Sequence, residues 1–269
     1  MIDYTGFCTY LRENDMSEST VALYLRILHL YGVYNGERQP EKETVSAWKH
    51  ALLDSGLQPR TVNNKLAAIA KYCTFAGIGI KIKRVKVQRI ISIEHMISAE
   101  EVERLITGLE EDKNIRFAAI VRLLAKTGGR VSEVIRIRKA DLTRGHVDMQ
   151  TKGKVRRIYF PAALAAELAP WTDGLGEDAI LCRNRYGKPI TASGIAKGLK
   201  RYAGEYGIPP EHVHPHAFRH FYAVEFLRRN PNIALLADVL GHSSMDTTRI
   251  YLRMTEAQQQ SEIDKTVNW

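Results

Sequence analysis

Apolar residues spaced three and four apart and punctuated by glycine run through most of this chain, a spacing that admits little but helices. The segment STVALYLRILHLYGVY, entered by Ser17 or Ser19 as N-cap, sets Val21, Leu23, Tyr24, Ile27, Leu28 and Tyr31 on one helical stripe. A second helix is expected after Thr44 (VSAWKHALLDSG, ended by Gly56) and a third after Pro59 (RTVNNKLAAIAKYCTFAG, ended by Gly77). Residues 1–80 therefore read as a small all-helical unit.

The period then breaks. In KIKRVKVQR the cations Lys81, Lys83, Arg84, Lys86 and Arg89 alternate with Ile82, Val85 and Val87, and no acid interrupts them. Residues 81–97 are expected to be a basic linker lying along a phosphate backbone; a lysine-guarded strand edge is the competing reading. Ser98 with Glu101 forms a capping-box signature before VERLITGLEE and opens a second domain, 98–269. A strongly apolar helix follows over 115–128. HVDMQT and VRRIYFP, around Lys152-Gly153-Lys154, alternate as a hairpin. Further helices are expected near 162–169 and 193–206, then in PHAFRHFYAVEFLRR and IALLADVLG. The expected fold is mainly α with one small antiparallel sheet.

Composition narrows the partner. The chain has 269 residues, with 39 Lys and Arg against 30 Asp and Glu, a formal charge of +9. An excess of that size points to a polyanion, nucleic acid ahead of an anionic membrane. Cys8, Cys73 and Cys182 are scattered, which argues against a disulfide framework or a cysteine zinc site. With no signal-like N-terminus and no apolar run of membrane-spanning length, a cytoplasmic protein is expected.

Four stretches carry chemistry: Thr127-Gly-Gly-Arg-Val-Ser-Glu133, Thr151-Lys-Gly-Lys154, Pro215-His-Ala-Phe-Arg-His220, and Leu240-Gly-His-Ser-Ser-Met-Asp-Thr-Thr-Arg-Ile-Tyr251. In this order and at these separations they resemble the tyrosine recombinases, or phage-type integrases, including the Xer type. The resemblance implies Arg130, Lys152, His216, Arg219, His242 and Tyr251 as catalytic residues. It also implies a helical core-binding (SAM-like) domain ahead of the catalytic domain, and leaves no room before Ser17 for an arm-binding domain. Gly129 departs from the family, which has an apolar residue there; inside a helix it would cost about 1 kcal/mol and loosen the turn before Arg130.

The residue types suit the reaction. Arginine donates two parallel bonds to phosphate and stays charged, so Arg130 and Arg219 are expected to clamp the reacting group. His216, three residues before Arg219 on a helix, would exchange the proton of Tyr251, and His242 would bond the phosphate. Lys152 would protonate the leaving 5′ oxygen; Lys154, two residues on, is the alternative. Glu133 reads as structural; a plain helical ion pair with Arg130, worth about 0.3 kcal/mol, is the alternative. Tyr222 is the decoy nucleophile.

No cofactor is implied. His216 and His220 are four apart, a metal-ligand spacing, but no third ligand accompanies them and His220 reads as a supporting or core histidine, so no metal is expected. Arg60, Thr61, Asn63, Asn64 and Lys65, at a helix start, are candidates for DNA contact, with capping by Thr61 as the alternative. Lys81, Lys83, Arg84 and Lys86 in the linker are candidates too, as are Lys197, Lys200 and Arg201, after an N-cap expected at Ser193. Partners by resemblance are double-stranded DNA and other copies of the chain, as a homotetramer on two DNA sites with the tail 255–269 exchanged between protomers and Trp269 as anchor. A disordered polar tail is the alternative. Rival functions are an inactive DNA-binding protein of the same fold and a metal-dependent nuclease using the histidines.

Overall fold

The computed structural model describes residues 1–86, 96–151, 154–242, 245–249, 251, 263–264 and 267. The chain divides into two units, Met1–Ile90 and Ile91–Trp269.

The first unit holds α1 (Tyr4–Glu13), α2 (Glu18–Asn35), α3 (Lys42–Asp54) and α4 (Pro59–Phe75). Ser17 caps α2, accepting the Thr20 N–H; α3 starts earlier than expected, with Thr44 at the third position of a capping box opened by Glu41. Pro59 takes the first position of α4, where its missing N–H costs nothing. The sequence reading had no α1. Asp3 caps it, and Phe7 and Leu11, one turn apart, lie in the core with Leu28, Tyr31, Leu66, Ile69 and Tyr72. Polar tips inside are paired: the Tyr31 hydroxyl meets Thr44 Oγ1 at 2.9 Å, and the Tyr72 hydroxyl accepts the Asp3 N–H.

The basic run is not a free-standing strand over its described part. Ile80, Ile82 and Val85 pack on this core while Lys81, Lys83, Arg84 and Lys86 face outward. Asn63 fastens it: its amide donates to the Val85 carbonyl (2.9 Å) and accepts the Val85 N–H (2.8 Å).

The second unit comprises α5 (Ala99–Glu111), α6 (Ile115–Thr127), α7 (Val131–Val134), α8 (Lys139–Arg144), the strands β1 (His146–Thr151) and β2 (Lys154–Tyr159), α9 (Ala162–Thr172), α10 (Ala192–Glu205), α11 (Pro215–Arg229), α12 (Ile233–Leu240) and α13 (Asp246–Arg249). The capping box of Ser98 and Glu101 is formed. From Phe117 to Ala125, α6 is buried on nearly every side, as an all-round apolar helix must be; α5, α9 and α11 pack around it. The antiparallel hairpin pairs Met149 with Arg156 on one face and Asp148 with Arg157 on the other. Thr191, rather than Ser193, caps α10, its hydroxyl accepting the Gly194 N–H.

α6 stops at Gly128, whose φ of +59° is open chiefly to glycine and where a Cβ would lie 2.5 Å from the Tyr222 ring. Gly129 lies between α6 and α7, so no helix-interior cost arises. The turn is not loosened, since the Gly129 N–H is held by Thr127 Oγ1 at 3.1 Å. This rigid exit from the central helix delivers Arg130.

Candidate active site

Three arginines converge around one carboxylate. Arg130 opens α7 and is tied to Glu133 twice: its N–H donates to Oε2 (2.7 Å) and its Nη1 to Oε1 (3.0 Å). Arg219 comes from α11; its Nη1 donates to the Gly128 carbonyl (2.7 Å) and its Nη2 to that of Leu240 (2.6 Å), the last residue of α12. Arg156 comes from β2, with Nη1 on the same Leu240 carbonyl and Nη2 3.6 Å from Glu133 Oε2. The ends of α6 and α12 thus present carbonyl oxygens to guanidinium groups, the favourable pole for cations.

Glu133 is more than a plain helical pair. Its side chain is 5% exposed, so its charge is matched by Arg130 and Arg156 in a poorly screened setting. Burial, then Arg156 and Arg130, hold the Arg219 guanidinium down to about 10, still charged at neutral pH. Arg130 keeps 37% of its side chain exposed, leaving an open face on the cluster.

The histidines and Tyr251 line the same place. Tyr251 packs against Ala223, Leu236 and Leu240, and its hydroxyl lies 2.6 Å from His220 Nδ1. Burial raises the Tyr251 pKa and Arg219 lowers it. His220 is held below the ordinary histidine range by burial, then by His216, His214 and Arg219; His216 is lowered by burial, Arg219 and Arg130. His242 is pushed down to about 4 by burial and the three arginines, and its Nδ1 meets Thr248 Oγ1 at 2.7 Å. All are therefore neutral near pH 7. His214 is the N-cap of α11, its Nδ1 accepting the Ala217 N–H.

Of the expected catalytic residues, Arg130, His216, Arg219, His242 and Tyr251 come together, whereas Lys152 lies outside the described residues, as do Ser243, Ser244 and most of the tail with Trp269. Two further side chains belong to this cluster. His220, expected to be a supporting or core histidine, meets the Tyr251 hydroxyl, and His216 neighbours it. Arg156 was read only as part of a strand; the alternation of β2 was the signal that it faces inward.

Among the DNA-contact candidates, Arg60, Thr61 and Asn64 are exposed and Lys65 is half-buried. Asn63 is half-buried, with both ends of its amide engaged by Val85. Lys197 and Lys200 are exposed. Arg201 stacks on the Tyr202 ring at 4.2 Å and lies 3.5 Å from Glu205. Among the described residues no group of three His, Cys, Asp or Glu side chains could hold a metal, and no helix is long and apolar enough to cross a membrane.

A buried arginine cluster with a tyrosine at its edge has the residue types suited to attack on a phosphodiester. The profile of the phage integrase family matches residues 95–258, more than half the chain. The tyrosine recombinase XerA of Pyrococcus furiosus is 28% identical over 258 residues, covering 93% of this chain and 88% of its own length. XerC of Bacillus subtilis is 26% identical, with 93% and 91% covered. Of solved structures, the Tn1549 transposon integrase in complex with transposon right end DNA aligns at a TM-score of 0.75 and 18% identity, covering 99% of this chain and 100% of that one. The XerH site-specific recombinase bound to a palindromic difH substrate aligns at 0.74 and 19%, covering 97% and 83%. These two share the fold. The chain belongs to the phage integrase family: it is a tyrosine recombinase, a DNA breaking-and-rejoining enzyme of site-specific recombination.

Proposed function

We propose that Tyr251 attacks a scissile phosphodiester in duplex DNA, forming a 3′-phosphotyrosyl link and releasing a 5′-hydroxyl. The contact that carries this reading is the Tyr251 hydroxyl on His220 Nδ1 beside Arg219. Burial keeps His220 neutral, so Nδ1 takes the phenolic proton as the tyrosine oxygen bonds to phosphorus. Arg130 and Arg219 receive the non-bridging oxygens; a guanidinium has five N–H donors, and the carbonyls of Gly128 and Leu240 take two of those on Arg219. The Thr248 hydroxyl can donate to His242 Nδ1, which leaves a proton on Nε2 for the phosphate. Lys152 would protonate the departing 5′ oxygen. A 5′-hydroxyl from the partner strand then attacks the tyrosyl ester, whose bond energy is conserved; its proton goes to the Lys152 amine left neutral by the first step, and His220 returns its proton to Tyr251. Two such rounds through a Holliday junction, on a homotetramer joining two sites, complete the exchange.

Attachment to duplex DNA rests on phosphate contacts from Arg60, Thr61, Asn64, Lys65, Lys81, Lys83, Arg84, Lys86, Lys197 and Lys200. The relatives bound to DNA in their solved structures and the outward face of residues 81–86 support this. Replacing Lys83 and Arg84 with glutamine should flatten the plot of log affinity against log salt by about two, at roughly 0.9 per lost phosphate contact. Gel-shift titrations across salt read it; an unchanged slope removes these residues from the interface.

Proton transfer makes a further prediction. His220→Gln should slow strand cleavage about a hundredfold and change its pH profile. The wild type should rise with pH through the depressed His220 pKa and level off by neutrality. The variant, lacking an internal acceptor, should keep rising into alkaline pH as Tyr251 ionises. A variant profile that still levels off near neutrality would assign the proton elsewhere. The reading as a whole is tested by trapping the adduct on a nicked duplex: its absence from the wild-type protein sinks it.

A further inference from the structure

Arg156 is buried out of keeping with its type. β2 turns it inward, opposite Met149 and beside Ile158, and its side chain is only 7% exposed. Its stem lies against Gly241, where an added Cβ would come 2.6 Å from Arg156 Cδ and where φ is +62°. The head reaches two other elements. Nη1 donates to the Leu240 carbonyl that also receives Arg219, and Nη2 lies 3.6 Å from the Glu133 carboxylate that also holds Arg130. Nε and Nη2 are buried and make no hydrogen bond within the described structure.

An arginine placed this way is poor material for a core. Removing a guanidinium from water costs several kcal/mol, and an apolar side chain of similar length often serves stability as well or better. What an apolar chain cannot do is share an acceptor with each of the two arginines that face the substrate. With Glu133 as the sole carboxylate in the described cluster, Arg130, Arg156 and Arg219 leave a surplus of two positive charges. A phosphodiester carries one negative charge at rest and gathers a second on its non-bridging oxygens as the tyrosine oxygen adds. The third guanidinium brings the cluster to that value.

We propose that Arg156 is a positioning residue of strand cleavage: by sharing Glu133 with Arg130 and the Leu240 carbonyl with Arg219, it fixes the separation of the phosphate-binding arginines and supplies the charge behind them. The proposal rests on the reading that Arg130 and Arg219 receive the scissile phosphate. Arg156 itself stays behind them.

The test uses the full-length chain and two suicide duplexes, one with an ordinary scissile phosphate and one with a methylphosphonate, which lacks one charged oxygen. Wild-type protein is assayed first for a Tyr251 adduct on the ordinary duplex; if none forms, the cleavage reading fails before Arg156 is addressed. Arg156→Met should then slow single-turnover cleavage of the phosphate about thirtyfold or more, leave DNA affinity within about twofold, and slow the methylphosphonate by only about threefold. Arg156→Lys, which keeps charge and volume but not the fork, should fall between, and carries the test if the methionine variant melts early. Equal slowing on both duplexes would mean lost packing alone and overturn the proposal, as would undiminished phosphate cleavage.

Discussion

Arg219→Ala should lower the rate of covalent adduct formation by about a hundredfold to a thousandfold, roughly 3–4 kcal/mol of transition-state stabilisation, while DNA affinity changes little. The asymmetry follows from where Arg219 sits. Its side chain is buried at the meeting of α6, α11 and α12, held by the Gly128 and Leu240 carbonyls, and in the proposed role it would meet the reacting phosphate rather than add to the many contacts along the duplex. Arg219→Lys should recover only part of the loss, because an ammonium cannot span two carbonyls and still meet a phosphate with a planar fork. Single-turnover trapping beside gel-shift titration separates the effects. Parallel losses of binding and cleavage would move Arg219 from chemistry to attachment.

Glu133→Ala should be the most damaging change to folding in this region. The carboxylate caps α7 through the Arg130 N–H and compensates two guanidinium groups, one of them buried. Removing one partner from a buried ionic cluster costs about 3–5 kcal/mol, because the remaining charges stay out of water. For a domain of roughly 150–250 residues that amounts to a fall in Tm of about 6–20 °C. Glu133→Gln keeps an acceptor for the cap and should lose less. Thermal melts of the two variants provide the check; a shift under about 2 °C for the alanine variant would return Glu133 to the status of a surface pair.

That contrast shows what a linear sequence conveys here. Spacing predicts that Arg130 and Glu133 meet, and it does not predict burial, which comes from β2 and α12 closing over them. Caps and period were legible for the long helices, as Ser17, Pro59 and the pair Ser98 and Glu101 illustrate. α1 was missed although Phe7 and Leu11 are a turn apart, since two apolar residues in a short polar stretch make a weak signal. His220 adjoins Arg219 in sequence and so points about 100° around the helix from it; only the path of the chain after α12 brings Tyr251 to its ring. Arg156 and Arg157 are neighbours on one strand, and residue type does not say which faces in. The register does: Arg157 pairs with Asp148 at 2.7 Å on the open face. Asn63, a polar residue at a helix start, secures the chain at Val85, a contact that residue type alone does not announce.

In the proposed reaction Tyr251 becomes covalently linked to a 3′ phosphate. Incubation with a nicked duplex carrying a site that the protein binds in gel shifts, followed by denaturation and peptide mapping, reads it directly. The expected product is a denaturant-stable adduct on Tyr251 with a free 5′-hydroxyl, formed equally with a chelator present and lost in Tyr251→Phe. An adduct that survives in Tyr251→Phe, maps to Tyr222, or is linked through a 5′ phosphate would contradict it.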